Sequence, residues 1–116
     1  LVYNHRGMAY FAIGSHQRAL KDFFSAISYD PESDRGYANR GLCYRVMKKY
    51  EKALKDFDQA LIINPNRPDS YFGRAQTHYD MQQFELALAD CEKALLIHSG
   101  YQPARALIKT LRSEQT

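Results

Sequence analysis

Apolar positions follow a helical period along most of the chain and fall into successive pairs of runs. In the middle of the sequence, Tyr37, Gly41 and Tyr44 would share one face of a first helix. Ala53 and Phe57 would share one face of a second helix that follows it. Each run is roughly 14 residues long, which corresponds to a helix of about 21 Å. The pattern therefore predicts antiparallel pairs of short helices and an all-α fold.

Short polar segments separate these runs and predict where the helices end. Within the pairs, the breaks are Gly14-Ser15, Lys48-Lys49 and Gln82-Gln83. Between pairs, the segments YDPESD at 29–34 and NPNRPD at 64–69 contain proline, which cannot continue a helix. Asp34 and Asp69 close these segments, and we expect their side chains to cap the next helix.

The same phrase returns every 34 residues, as ALKDFF at 19–24, ALKDFD at 53–58 and ALADCE at 87–92. A fixed interval of this length marks an internal repeat. Small residues recur where two helices would approach closely, at Gly7, Gly41 and Ala75. The facing row holds Phe23, Phe57 and then Cys91, so we expect Cys91 to be a small buried thiol.

These residues resemble the tetratricopeptide repeat, whose signature is a 34-residue helix–turn–helix. In the middle unit the signature falls on Tyr37, Gly41, Tyr44, Ala53, Phe57, Ala60 and Pro65. The third unit departs from it at His78, Cys91 and Ser99. The resemblance implies a right-handed superhelical solenoid of tandem antiparallel helix pairs, forming one domain over residues 1–116. We expect repeats at about 1–34, 35–68 and 69–100, followed by a capping helix at about 101–114.

The resemblance also implies a function, because the first helices of such repeats line a concave groove that commonly holds a partner peptide. We therefore expect a non-catalytic protein-interaction module that serves as an adaptor or scaffold in a larger protein. The side chains opposite the core stripe are the candidate peptide-binding residues: Asn4, His5, Met8, Arg35, Asn39, Leu42, Arg45, Phe72, Gln76 and Tyr79.

Asn39 is the central candidate, because a carboxamide can both donate to and accept from a peptide backbone. The alternative is that Asn39 is solvated or bonds locally. Co-chaperone members of the family grip the acidic tail of heat-shock chaperones with a clamp of Lys, Asn and Arg side chains. The matching positions here are Asn4, Met8, Asn39, Asp69 and Gly73, of which only Asn39 agrees. A chaperone-tail clamp is therefore not expected.

Positive charge is concentrated in the middle of the chain. The formal net charge is +3, yet residues 35–68 alone hold eight basic and three acidic side chains. This excess favours a partner peptide with acidic character. Two further rows recur in step, and we expect their charges to pair between helices, not to bind phosphate: Arg6, Arg40, Arg74 and Asp22, Asp56, Asp90.

Other classes of function find less support. The four histidines are scattered without metal-ligand spacing, and the sequence has no phosphate-binding loop and no nucleophile elbow. We therefore expect no enzyme activity, no metal and no cofactor. Self-association through an exposed N-terminal helix remains an alternative, as a homodimer formed with Leu1, Val2, Met8 and Phe11. Single-stranded RNA binding is a less favoured alternative, and no nucleic-acid partner is expected.

The remaining features concern the location of the protein in the cell. No apolar run approaches the ~20 residues that a membrane span needs, and two cysteines are too few for a disulfide framework. We expect an intracellular, cytoplasmic protein without a membrane partner. The chain begins without Met in the middle of a helical pattern, which indicates a piece of a longer protein.

Overall fold

The computed structural model describes residues 2–114, which form seven α-helices and, within that range, no β-strand. The helices are α1 Val2–Ala12, α2 His16–Tyr29, α3 Asp34–Val46, α4 Tyr50–Ile63, α5 Pro68–Asp80, α6 Phe84–Ile97 and α7 Gln102–Glu114. Six of them are 11 to 14 residues long and follow one another as predicted pairs. The all-α prediction is confirmed.

Contacts divide the chain after Pro65 into two compact units. In the first unit α1 packs on α2 and α3 packs on α4, while α3 also contacts both α1 and α2. In the second unit α5 and α7 each pack on α6. None of the helices in the described range is long and apolar enough to cross a membrane.

Each helix pair turns through one residue in the left-handed region. The residue is Gly14 in the first pair (φ +83°), Lys48 in the second (φ +63°) and Gln82 in the third (φ +62°). The N–H of Lys48 donates to the carbonyl of Arg45 at 2.9 Å, and the next N–H donates to the carbonyl of Tyr44 at 2.8 Å. The two equivalent hydrogen bonds close the turns of the other two pairs. The first helix of each pair, α1, α3 and α5, therefore ends in a Schellman motif.

Replacing Lys48 with glycine is expected to raise the free energy of unfolding by about 1 kcal/mol. A side chain at this φ brings Cβ close to the following carbonyl, which costs an L-residue about 1–2 kcal/mol, and glycine removes that contact. Urea unfolding followed by circular dichroism measures the change. Gly14→Ala makes the reverse change at the equivalent turn position of the first pair and is expected to lower stability. A stabilising Gly14→Ala variant would contradict this account of the turn.

The first two helix pairs close over a glycine. A methyl group added to Gly7 would lie 2.5 Å from Cε1 of Phe23, and one added to Gly41 would lie 3.2 Å from the ring of Phe57. These distances show that the glycines let each helix pass directly over an aromatic ring. Both phenylalanines are almost fully buried.

The third helix pair makes the same contact between side chains of different sizes. Ala75 replaces the glycine, Cys91 replaces the phenylalanine, and both are fully buried in one apolar cluster of the second unit. Burial raises the pKa of the Cys91 thiol to about 11, so it is protonated at neutral pH. The prediction that Cys91 is a small buried residue is confirmed.

The repeated charges form ion pairs, as predicted. Nε and Nη2 of Arg40 donate to the two carboxylate oxygens of Asp56 at 2.8 Å each. The same bidentate pairing joins Arg6 to Asp22, at 2.9 and 2.8 Å, and recurs in the third pair of helices. Each pair links the first helix of a repeat to its second helix, and the carboxylates are buried.

Acid is expected to weaken the fold through Asp22. Hydrogen bonds from Arg6 hold the pKa of Asp22 below its usual range. The carboxylate therefore stabilises the fold at pH values above its unfolded pKa of about 3.9, and this contribution is lost as the pH falls through the lower folded value. Urea unfolding of the native protein and of Asp22→Asn should differ at neutral pH and converge in acid. A constant difference would contradict this role.

The prediction that Asp34 and Asp69 stand at the N-cap positions is corrected. The N-cap positions of α3 and α5 are Ser33 and Arg67, so Asp34 and Asp69 do not occupy the N-cap position. Both carboxylates lie in the first turn, next to the positive end of the helix dipole. The shift at α5 arises because Pro68 fits the first helical position, where its missing N–H is not needed.

The N-terminal helix is only partly exposed. Val2 is 74% exposed and Met8 38% exposed. Phe11 was expected on the open surface but packs against the cluster around Phe23, with its ring centroid 5.7 Å from that of His16. The turn into α2 brings His16 back beside Phe11, which explains the difference. Leu1 lies outside the described residues.

Candidate peptide-binding site

A cavity of about 560 Å³ opens between α1 and α3 in the first unit. It is lined by Asn4, His5, Met8, Ala26, Tyr29, Asp30, Ser33, Arg35 and Asn39. Five of the residues predicted to bind a peptide therefore line one space, with two on α3 and three on α1. The end of α2 and the following turn form the remaining wall.

Two carboxamides face each other across this cavity. Nδ2 of Asn39 donates to Oδ1 of Asn4 at 3.4 Å, and both side chains are half-buried. This distance is beyond the usual 2.7–3.2 Å for an N–H···O bond, so the interaction is weak. The pair holds the two amides together while leaving most of their donor and acceptor capacity available to a ligand.

The rest of the wall is mixed in character. Met8 and Tyr29 offer exposed apolar surface, and Tyr29 is 73% exposed. Asp30 contributes negative charge and is fixed in the turn, because its Oδ1 accepts from the N–H of Glu32 at 3.2 Å. Arg35 brings a positive charge to the same space. The cavity can therefore contact backbone, apolar and charged groups of a ligand at once.

Tyr29, Asp30 and Ser33 were not predicted as functional residues. They belong to the segment YDPESD, in which the proline indicated only the end of a helix. The helical period identifies which residues share a face of α1 or α3, but it carries no information about a turn that reaches back toward them. The one sequence feature that could have indicated this part of the wall is Tyr29, an aromatic residue directly before the Asp-Pro turn.

The other predicted residues do not line this cavity. Leu42 and Arg45 lie further along α3 and are half-buried. In the second unit, the ring of Phe72 meets that of Tyr101 edge-on at 5.9 Å, as part of the packing around the last helix. Tyr79 packs near Phe84, with ring centroids 5.5 Å apart. Gln76 is half-buried on the same helix, α5.

His78 lies in a packed position. Its Nδ1 is 2.8 Å from Oε1 of Gln83, and its Nε2 is 3.8 Å from a carboxylate oxygen of Asp90. The ring thus stands in the place of the tyrosine of the other repeats and makes one hydrogen bond, with Gln83, within its own helix pair. In the described part of the chain, His, Cys, Asp and Glu side chains form no group of three or more that could hold a metal ion.

The chain belongs to the tetratricopeptide repeat family, a class of protein-interaction modules. One family pattern matches residues 35–67, and a second matches residues 2–33 and 68–98. Each matched range spans one helix pair of the structure. Comparison with curated proteins found no match.

Solved structures of the same class resemble this chain closely in fold. The first repeat domain of Spaghetti (RPAP3), bound to the HSP90 peptide SRMEEVD, has a TM-score of 0.91 at 23% identity, covering 98% of this chain and 90% of that one. The second repeat domain of human RPAP3, in complex with the HSP70 peptide SGPTIEEVD, has a TM-score of 0.86 at 25% identity, covering 95% and 92%. The repeat domain of Arabidopsis OM64 has a TM-score of 0.92 at 21% identity, covering 97% and 93%.

Proposed function

We propose that this chain is a non-catalytic interaction module that holds an extended peptide of a partner protein in the cavity between α1 and α3. The observation that carries the proposal is the convergence of five predicted groove residues on one cavity. Its volume of about 560 Å³ falls within the ~300–1,000 Å³ of typical ligand sites. Such a space accommodates a short stretch of extended chain.

Asn4 and Asn39 would bind the backbone of that peptide. Their mutual hydrogen bond is weak, so a ligand amide can replace it with two bonds of ordinary length at little cost. Met8 and Tyr29 would contact an apolar side chain of the ligand. The amides thus fix the position of the peptide, and the apolar wall selects its sequence.

Acidic character in the ligand would be limited to single side chains. Arg35 favours a carboxylate nearby, whereas Asp30 in the same wall repels a cluster of them. The two RPAP3 domains were solved with peptides that end in EEVD. Here Asn4 and Met8 stand where a clamp would place a lysine and an asparagine. We therefore propose that the cavity does not hold a chaperone tail.

An Asn39→Ala variant is expected to lose at least tenfold in affinity for peptides that the native protein selects. We would screen a peptide library at two salt concentrations, with SRMEEVD as an added peptide that should bind neither protein. A tenfold loss corresponds to about 1.4 kcal/mol, the value of a hydrogen-bonded amide that loses its partner. Affinities would be measured by fluorescence anisotropy at both salt concentrations.

Gln17→Ala is the matched control, because Gln17 is an exposed amide on α2 that does not line the cavity. It should bind selected peptides like the native protein. Failure to select any peptide with folded protein, or equal affinity in Asn39→Ala, would contradict the proposal. Binding of SRMEEVD that Asn39→Ala abolishes would instead support a chaperone-tail site.

A further inference from the structure

The last helix has one buried face and one basic face. Ala104, Ile108 and Leu111 are at most 8% exposed and pack into the second unit. Arg105, Lys109 and Arg112 are exposed and, together with Ile108 and Ser113, line an open surface pocket of about 490 Å³. Three of the five basic residues after position 68 therefore lie on one side of a single helix.

The repeat register shows which surface this is. One period of 34 residues earlier, Arg105, Lys109 and Arg112 correspond to Tyr71, Ala75 and His78. In the full repeats, this stripe on the first helix packs against the second helix of its own pair, as the contact of Gly41 with Phe57 shows. In α7 the same stripe is exposed, and cations replace its apolar residues.

The three cations differ from the repeated arginines. Arg6, Arg40 and Arg74 each hold a carboxylate of their own repeat at 2.8 Å. Within residues 2–113, no carboxylate side chain forms an ion pair with Arg105, Lys109 or Arg112. Their charge is consequently available to another molecule.

We propose that the basic face of α7 binds an acidic amphipathic helix of a partner protein, which takes the place of the second helix of a fourth pair. The cations are spaced i, i+4 and i+7, so they span about 10 Å along the helix axis. Because the second helix of a pair runs antiparallel to the first, carboxylates at i, i+3 and i+7 on the partner helix match all three. Apolar residues beside those carboxylates lie over the open pocket that Ile108 lines.

The form of the surface favours a helix over a lipid membrane or a nucleic acid. Electrostatic recognition of anionic membranes uses clusters of about 4–8 basic residues, more than this face provides. Nucleic-acid binding depends on a basic stripe that follows many phosphates. Three cations over two helical turns, on the stripe that holds the second helix in the full repeats, instead fit the side of one helix.

The test uses two synthetic helical peptides that differ in one feature. The first carries Glu at i, i+3 and i+7 beside a leucine stripe, and the second carries Gln at those positions. The Glu peptide is expected to bind the native protein and to shift the backbone NMR signals of residues 105–113. The Gln peptide, and the variant Arg105→Glu/Arg112→Glu with the Glu peptide, should each lose at least tenfold in affinity.

A charge exchange and a control complete the experiment. A peptide with Lys at the three positions should bind Arg105→Glu/Arg112→Glu more tightly than it binds the native protein. Lys21→Glu/Lys55→Glu makes the same change in net charge on other exposed residues and should leave binding of the Glu peptide unchanged. Absent binding of the Glu peptide, or equal binding by both variants, would overturn the proposal. So would binding to vesicles containing phosphatidylserine without binding to the peptide.

Discussion

Replacing Asp56 with alanine is expected to lower the free energy of unfolding by about 3 kcal/mol. The change leaves the Arg40 guanidinium without its bidentate carboxylate, although only 21% of the Arg40 side chain is exposed. Removal of one partner from a buried ion pair typically costs about 3–5 kcal/mol, and the partial exposure of Arg40 places this case at the lower end. Urea unfolding followed by far-UV circular dichroism measures the loss.

Two comparisons test the physical reason for this loss. Asp58→Ala removes an exposed carboxylate from the same helix and should cost no more than about 1 kcal/mol, the upper value of a surface ion pair. Asp22→Ala breaks the equivalent pair in the first repeat, but the Arg6 side chain is 62% exposed and recovers water on losing its partner. It should therefore cost less than Asp56→Ala. The reverse order would contradict the role of guanidinium burial.

Replacing Phe57 with cysteine is also expected to cost about 3 kcal/mol, because it removes a buried ring and leaves a cavity beneath Gly41. The third repeat shows how the chain itself accommodates a cysteine here, since Ala75 stands opposite Cys91. Adding Gly41→Ala to Phe57→Cys should therefore recover part of the lost stability. The added methyl group occupies space that the ring has vacated.

A double-mutant cycle separates this packing effect from the better helix propensity of alanine. Gly41→Ala alone places a methyl group 3.2 Å from the native ring, so it should stabilise less than it does in the Phe57→Cys background. We expect a coupling of about 1 kcal/mol, measured from the unfolding free energies of the four proteins. Additive effects would show that the two positions do not compensate each other.

The repeat period made much of the fold predictable. Positions 34 residues apart carry the same contact, so the approach of Gly7 to Phe23 and the pairing of Arg40 with Asp56 followed from one alignment of the chain with itself. Asn4 and Asn39 are 35 residues apart and are not equivalent in the repeat, but their convergence was predictable because both fall opposite the core stripe on neighbouring first helices.

Features outside the period were not predictable in this way. Asp30 reaches the cavity through a turn whose course depends on local hydrogen bonds. The ring of Phe72 was placed in the groove by its register on α5, but it packs against Tyr101, which lies just before α7. The residues one and two periods before Tyr101 are Arg67 and Ser33, so this aromatic contact does not recur along the chain. The basic face of α7 was hidden for a related reason. Residues 69–116 hold nearly equal numbers of basic and acidic side chains, so their summed charge does not reveal a basic face. Only the i, i+4, i+7 spacing of Arg105, Lys109 and Arg112 shows that these three share one side of a helix.

The repeated ion pairs also have a consequence for how the chain folds. Each guanidinium meets a carboxylate only 16 residues away, within one helix hairpin. Bringing such close positions together requires the closure of a short loop, and local contacts of this kind are associated with fast folding. Each hairpin therefore contains the interactions that join its own two helices as soon as its 34 residues have been synthesised. A nascent chain of this design can begin to order one hairpin at a time while the rest is still on the ribosome.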